Sequence, residues 1–176
     1  LLYDASFIES LYEEYQAIAC DDSDDLEKLL GEWNGKNILL VGPGKKGSQT
    51  EIIRQHIQET DSVVVSVNFM PEGLETDYVF MSNAKRYVRM AGRLNHALAS
   101  HIHVQTIATS NVTRTNGRFD YVLAYASLLD EDALIKDNPL FMLLKLCKLA
   151  NAKNVYLAGF DGYEKCVDTN YVNPNM

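Results

Sequence analysis

Apolar residues near the start of the chain fall on one helical face. Phe7, Ile8, Leu11, Tyr12, Tyr15 and Ile18 recur at three- and four-residue spacings, and Asp4 stands where an N-cap belongs. The spacing predicts an amphipathic helix over 5–19. Next comes Asp21-Asp22-Ser23-Asp24-Asp25, which reads as a capped, solvated turn. Its last carboxylates suit the positive end of a second helix that carries Leu29 and Leu30. The same acids do not make a calcium loop, because the required pairing of glycine at the sixth position with glutamate at the twelfth is absent.

From Lys36 onward the period changes. Short apolar, β-branched runs at 37–41, 62–67, 77–81, 102–108, 119–124 and 154–158 have the length and composition of strands. Helix-sized segments at 48–59, 83–99 and 139–152 separate several of them. This alternation predicts βαβ units and an α/β fold: a Rossmann-like, doubly wound, mostly parallel sheet of about six strands. Residues 1–32 are expected to be an N-terminal helical segment, a tail or linker from a preceding domain, and 33–176 the α/β domain. Ser48 with Glu51 fits a capping box, and Asn138-Pro139 fits an N-cap followed by proline in the first turn. Thr113–Arg118, around Asn116-Gly117, reads as a turn between strands. A chain that opens on Leu1 is expected to be an excised piece, and Asn173–Met176 an unstructured stop or a cut.

The chain's 176 residues make one compact core the expectation. A formal charge of −8 is the wrong sign for a sequence-independent grip on nucleic acid. No apolar run approaches the roughly 20 residues of a membrane span. Cys20, Cys147 and Cys166 are odd in number and widely spaced, which suits reduced thiols, a cytoplasmic setting and no cysteine-bound metal.

The sharpest chemical signal is Gly42-Pro43-Gly44-Lys45-Lys46-Gly47-Ser48, a GxGxxG pattern between a predicted strand and a predicted helix. Glycines there allow a sharp turn and close approach of an anion, while the amides opening the next helix point at it. A phosphate pocket and a plain tight turn both fit. The second strand ends in Val67-Asn68-Phe69, without the acid that holds a ribose, which argues against NAD. The Walker spacing is absent as well. Polar residues follow several strands, namely Asn68, Ser82-Asn83, Ser110-Asn111 and Asp161 to Tyr163. They could face one crevice, or simply cap helices and end strands. Of the cations between Lys85 and Arg93, Arg86 lies nearest a strand end and is the candidate phosphate contact. His101 and His103 alternate as metal ligands on a strand would, but no third ligand is near in sequence, so no metal is assigned. The resulting candidate site is Gly42, Gly44, Lys45, Gly47, Ser48, Asn68, Asn83, Arg86, Asp161 and Tyr163; no catalytic residue can be named.

Two resemblances arise at these residues. The tract at 154–163, Asn-Val-Tyr-Leu-Ala-Gly-Phe-Asp-Gly-Tyr, together with the Gly-Pro-Gly loop and Asn68-Phe69, resembles bacterial sialyltransferases of the CMP-sialic acid type. That resemblance implies a nucleotide phosphate near Gly42 and Gly44, the nucleotide near Asn68 and a phosphate contact at Tyr163. No histidine follows Tyr163 to match the transferases' general base. The second resemblance rests on Leu-Tyr-Glu-Glu-Tyr-Gln at 11–16, the segment 33–44, Val-Ser-Val-Asn-Phe at 65–69 and the segment 77–87. These are similar to the C-terminal module of bacterial 4-hydroxy-2-oxovalerate aldolase-type proteins, whose N-terminal barrel is of the 3-hydroxy-3-methylglutaryl-CoA lyase kind. It implies a non-catalytic accessory domain with the barrel of the same parent chain as a partner; the glycine loop adds the expectation of a small phosphorylated ligand, a nucleotide or nucleotide sugar. A nucleotide-sugar glycosyltransferase and a structural assembly domain are the alternatives, and homo-oligomerisation is left open.

Overall fold

The computed structural model describes residues 4–44, 49–99 and 104–160. Six strands, β1 (Asn37–Val41), β2 (Val63–Val67), β3 (Tyr78–Met81), β4 (Gln105–Thr109), β5 (Tyr121–Leu123) and β6 (Asn154–Ala158), form one sheet in the order β5-β4-β3-β2-β1-β6. Every pairing is parallel. Six helices accompany them: α1 (Ala5–Gln16), α2 (Ser23–Trp33), α3 (Gln49–Thr60), α4 (Ala84–Ala99), α5 (Tyr125–Leu128) and α6 (Pro139–Leu149). The chain is thus an α/β protein of the Rossmann-like, doubly wound kind. The expected turn at 113–118 overlaps a 3-10 turn, Val112–Thr115, closed by Asn116 at φ 57°. That conformation is one asparagine tolerates better than most residues. None of the helices among the described residues is long and apolar enough to cross a membrane.

Side chains alternate across each strand, so the sheet buries both faces. One face sets Ile38, Leu40, Val65, Phe80, Ile107 and Leu123 against Leu29 and Trp33 of α2, Tyr125 of α5 and Met142, Leu143 and Leu146 of α6. The other face is split. Leu39, Val41 and Val64 pack under Ile53 and Ile57 of α3, while Val79, Met81 and Ala108 pack separately under Met90 and Leu94 of α4. The division falls between β2 and β3, the pair joined by residues 68–77 without a helix.

Helix starts follow the predicted chemistry. The carboxylate of Asp4 accepts from the Ser6 amide at 3.2 Å, and Asn138 Oδ1 accepts from the Leu140 amide at 3.0 Å, with Pro139 beginning α6. Ser48 of the expected capping box lies outside the described residues.

The acidic run does more than start α2. Asp25 Oδ2 accepts the Val122 amide and Asp22 Oδ2 the Ala124 amide, each at 2.8 Å. These are outward-facing amides at the edge formed by β5, which the ladder with β4 leaves unpaired. Further along α2, Glu32 accepts hydrogen bonds from the hydroxyls of Tyr78 at 2.6 Å and Tyr121 at 2.8 Å. Helix α2 crosses the sequence boundary drawn at residue 32, and Leu29 and Trp33, both fully buried, share one core with the sheet. Helix α1 adds a second layer. The rings of Tyr15 and Tyr125 meet edge to face at 5.5 Å, and the Tyr12 and Tyr125 hydroxyls both donate to Asp137 at 3.2 Å.

Burial and the neighbouring Asp137 push the Tyr12 phenol up to about 12. Tyr78, Tyr121 and Tyr125 move in the same direction, chiefly through burial. A phenol that holds its proton more tightly folded than unfolded contributes stability that is complete below its ordinary value of 10 and is lost as pH rises toward 12. Urea midpoints are therefore expected to fall between pH 10 and pH 12, and Tyr12→Phe to make that fall shallower. For the edge seal, Asp22→Ala with Asp25→Ala is expected to cost about 2–4 kcal/mol in urea unfolding, because two backbone donors lose their acceptors. Unchanged stability would mean that α2 does not hold β5.

Candidate functional site

A parallel sheet offers its ligand crevice beyond the carboxyl ends of its strands, at the point where connections leave in opposite directions. Here that point is β1: the chain moves from β1 to β2 on one side, while β6 lies on the other. The Gly42 loop leaves β1 at this position, as the glycine pattern predicts.

The amides of that loop are turned inward. The Gly42 N–H donates to the Ala158 carbonyl at 2.8 Å and the Gly44 N–H to the Gly159 carbonyl at 2.9 Å. Pro43 between them has no amide hydrogen. The Gly42 and Gly44 amides are therefore spent within the fold, where their backbone extends the β1–β6 ladder past the strand ends. Glycine at 42 is required by proximity, since a Cβ would sit 2.5 Å from the Gly159 carbonyl oxygen and 2.9 Å from the Phe160 ring. Gly159, at φ 70°, would drive a Cβ into the Gly42 carbonyl in turn. Lys45, Gly47 and Ser48 of the same loop, and Asp161 and Tyr163 beyond β6, lie outside the described residues, as do His101 and His103.

The polar residues at the other strand ends bind one another. Asn68 takes up φ 57°, and its side chain reaches β3, with Oδ1 accepting the Ser82 amide at 2.9 Å and Nδ2 donating to Ser82 Oγ at 3.2 Å. Asn111 Nδ2 donates to the Ser82 carbonyl at 3.1 Å, and Asn111 Oδ1 accepts from Thr109 Oγ1 at 2.6 Å. Ser110 Oγ accepts the Tyr125 amide at 3.1 Å. All of these side chains are buried. The result is a polar stitch across the ends of β2, β3 and β4, in which strand-terminating asparagines satisfy backbone groups rather than facing a ligand. Asn83 is exposed and caps α4, with Oδ1 accepting the Arg86 amide at 3.1 Å. Arg86 is half-buried one turn into the same helix.

The structure thus brings Asn68 together with Ser82 and Asn111, and Gly42 and Gly44 together with Gly159 and Phe160. Gly159 and Phe160 were not singled out by sequence reasoning. The available signal was the Ala158-Gly159-Phe160 tract closing an apolar run, but only its partner across the sheet gives it meaning. The described thiols are not activated: burial pushes Cys147 up to about 12, and burial with Asp22, Asp25 and Asp21 raises Cys20. Among the described residues, no group of three His, Cys, Asp or Glu side chains could hold a metal ion.

No family model, curated protein or solved structure matches this chain. Fold and crevice define a Rossmann-like α/β domain in which a glycine loop is locked to the end of β6.

Gly42→Ala is expected to force the two loops apart and to cost about 1–3 kcal/mol, as overpacking in a well-filled site does. The measurement is a urea titration. Gly117→Ala supplies a comparison, since its Cβ would also meet neighbours at 2.5 Å but far from the β1–β6 junction.

Proposed function

We propose that this chain is a non-catalytic accessory domain that takes a small phosphorylated ligand, a nucleotide or nucleotide sugar, at the carboxyl end of its sheet beside β1. Its setting, on the same proposal, is as the C-terminal module of an aldolase-type protein whose catalytic barrel is a separate domain. The observation that carries the reading is the position of the glycine loop: it leaves β1 at the reversal of strand order and leads directly to α3. With the Gly42 and Gly44 amides engaged by β6, anion recognition falls to Lys45 and Ser48, to the amino end of α3 and to Arg86, so the ligand is held by side chains more than by a backbone cradle.

A thermal-shift screen with nucleotides, nucleotide sugars and inorganic phosphate tests this. A ligand at about 100 times its Kd adds roughly 2.7 kcal/mol, which for a chain of this length raises Tm by roughly 5–10 °C. Lys45→Ala is expected to reduce that rise. No rise with any phosphate compound at millimolar concentration refutes the reading, and turnover of a CMP- or UDP-sugar replaces it with the transferase. A second reading, a structural assembly domain, is favoured by the hydrogen bonds that tie Asn68 and Asn111 to Ser82, which commit those buried side chains to holding strand ends together.

A further inference from the structure

A groove of about 1090 Å³ opens on the split face of the sheet, remote from the crevice beside β1. It exists because the link from β2 to β3 contains no helix, so α3 and α4 cover their own strands and leave a slot between them. Its floor is apolar: Ile57 of α3, Val64 of β2, Met70 and Leu74 of the link, and Val104.

Several of the polar groups around that floor are already partnered. Ser62 Oγ lies 2.7 Å from Thr60 Oγ1, Thr76 Oγ1 donates to the Leu74 carbonyl at 3.3 Å, and Asp77 Oδ2 accepts the Val64 amide at 2.7 Å. Arg54 is held by Glu51 at 3.1 Å and by the Gly73 carbonyl. A small polar ligand would find little hydrogen-bonding capacity here, so recognition is left to apolar burial and charge. The charge is negative: Glu75 and Asp77 stand exposed on the rim, and Arg54, the cation there among the described residues, is paired with Glu51.

We infer that this groove docks a basic amphipathic helix of a partner protein, seated with its apolar stripe on the partly exposed Ile57, Met70 and Leu74 and its cations on Glu75 and Asp77. The helix-in-groove mode needs only an apolar stripe and a rim of opposite charge, and Ile57, Met70 and Leu74 with Glu75 and Asp77 supply both. This inference is independent of the proposed phosphate site.

The probe is a labelled peptide of roughly 14 residues, long enough for four helical turns, with leucine at i, i+3, i+4 and i+7 and lysine elsewhere. Fluorescence anisotropy with the full chain is expected to show saturable binding that weakens with salt. A scrambled peptide of the same composition and a glutamate-for-lysine peptide are expected not to bind. Gln58→Lys with Glu75→Lys, both exposed, is expected to weaken binding about tenfold, the scale on which charge complementarity acts at a rim. Gln16→Lys with Glu27→Lys makes the same change of net charge on α1 and α2, which cover the opposite face, and is expected to leave binding unchanged. Equal loss in the two double variants overturns the inference in favour of diffuse attraction to an acidic protein, as does equal binding of the scrambled peptide or no binding at all. A concentration-dependent dimer that Gln58→Lys with Glu75→Lys dissociates would overturn it in favour of a second copy of this chain.

Discussion

The backbone groups at the margin of the sheet must find partners, and most of the distinctive features of this molecule answer that demand. Strand β5 ends the sheet on one side, and its outward amides at Val122 and Ala124 meet Asp25 and Asp22 of α2. Those two contacts fix where α2 lies, and with it Leu29 and Trp33 in the main core. Glu32 continues the same fastening by receiving the two phenols of Tyr78 and Tyr121. A carboxylate row that would be solvated on an isolated helix thereby becomes the cover of a sheet edge.

The same logic recurs at both ends of the strands. At the amino ends, Asp77 accepts the Val64 amide and Asp120 the Thr106 amide, each at 2.7 Å. At the carboxyl ends, Asn68, Ser82 and Asn111 perform the service, and beside them the amides of Gly42 and Gly44 reach the carbonyls of Ala158 and Gly159 at the end of β6. Polar side chains that look like a binding surface in one dimension are largely the means by which a parallel sheet satisfies its own margins.

What the sequence made legible were local features. The apolar runs at 37–41 and 154–158 locate β1 and β6 to the residue, and Asn138-Pro139 marks the start of α6, because composition and capping act within a few positions. Helix α5, with four residues, shows no period to detect. The acidic run could be seen to start a helix but not to bind β5, since its partners lie 97 and 102 residues further on. For the candidate site, glycine at 42 is readable as a need for space. Whether that space belongs to a ligand or to Gly159 is decided by a strand pairing that no local pattern encodes.

The position of β6 also bears on how the chain reaches its native state. Strand β6 pairs with β1, the first strand among the described residues, and Asn154 Nδ2 meets Asn37 Oδ1 across a separation of 117 residues. During synthesis, β1 can recruit β2 within a short stretch of polypeptide, yet its other flank waits for nearly the whole domain to emerge from the ribosome. Until then a strand of buried Ile38, Leu39 and Leu40 has one open side. Such non-local closure is slow relative to helix formation, so the nascent chain carries a sticky interior strand until β6 has emerged, and a chaperone that shields Asn37–Val41 would have its longest window here.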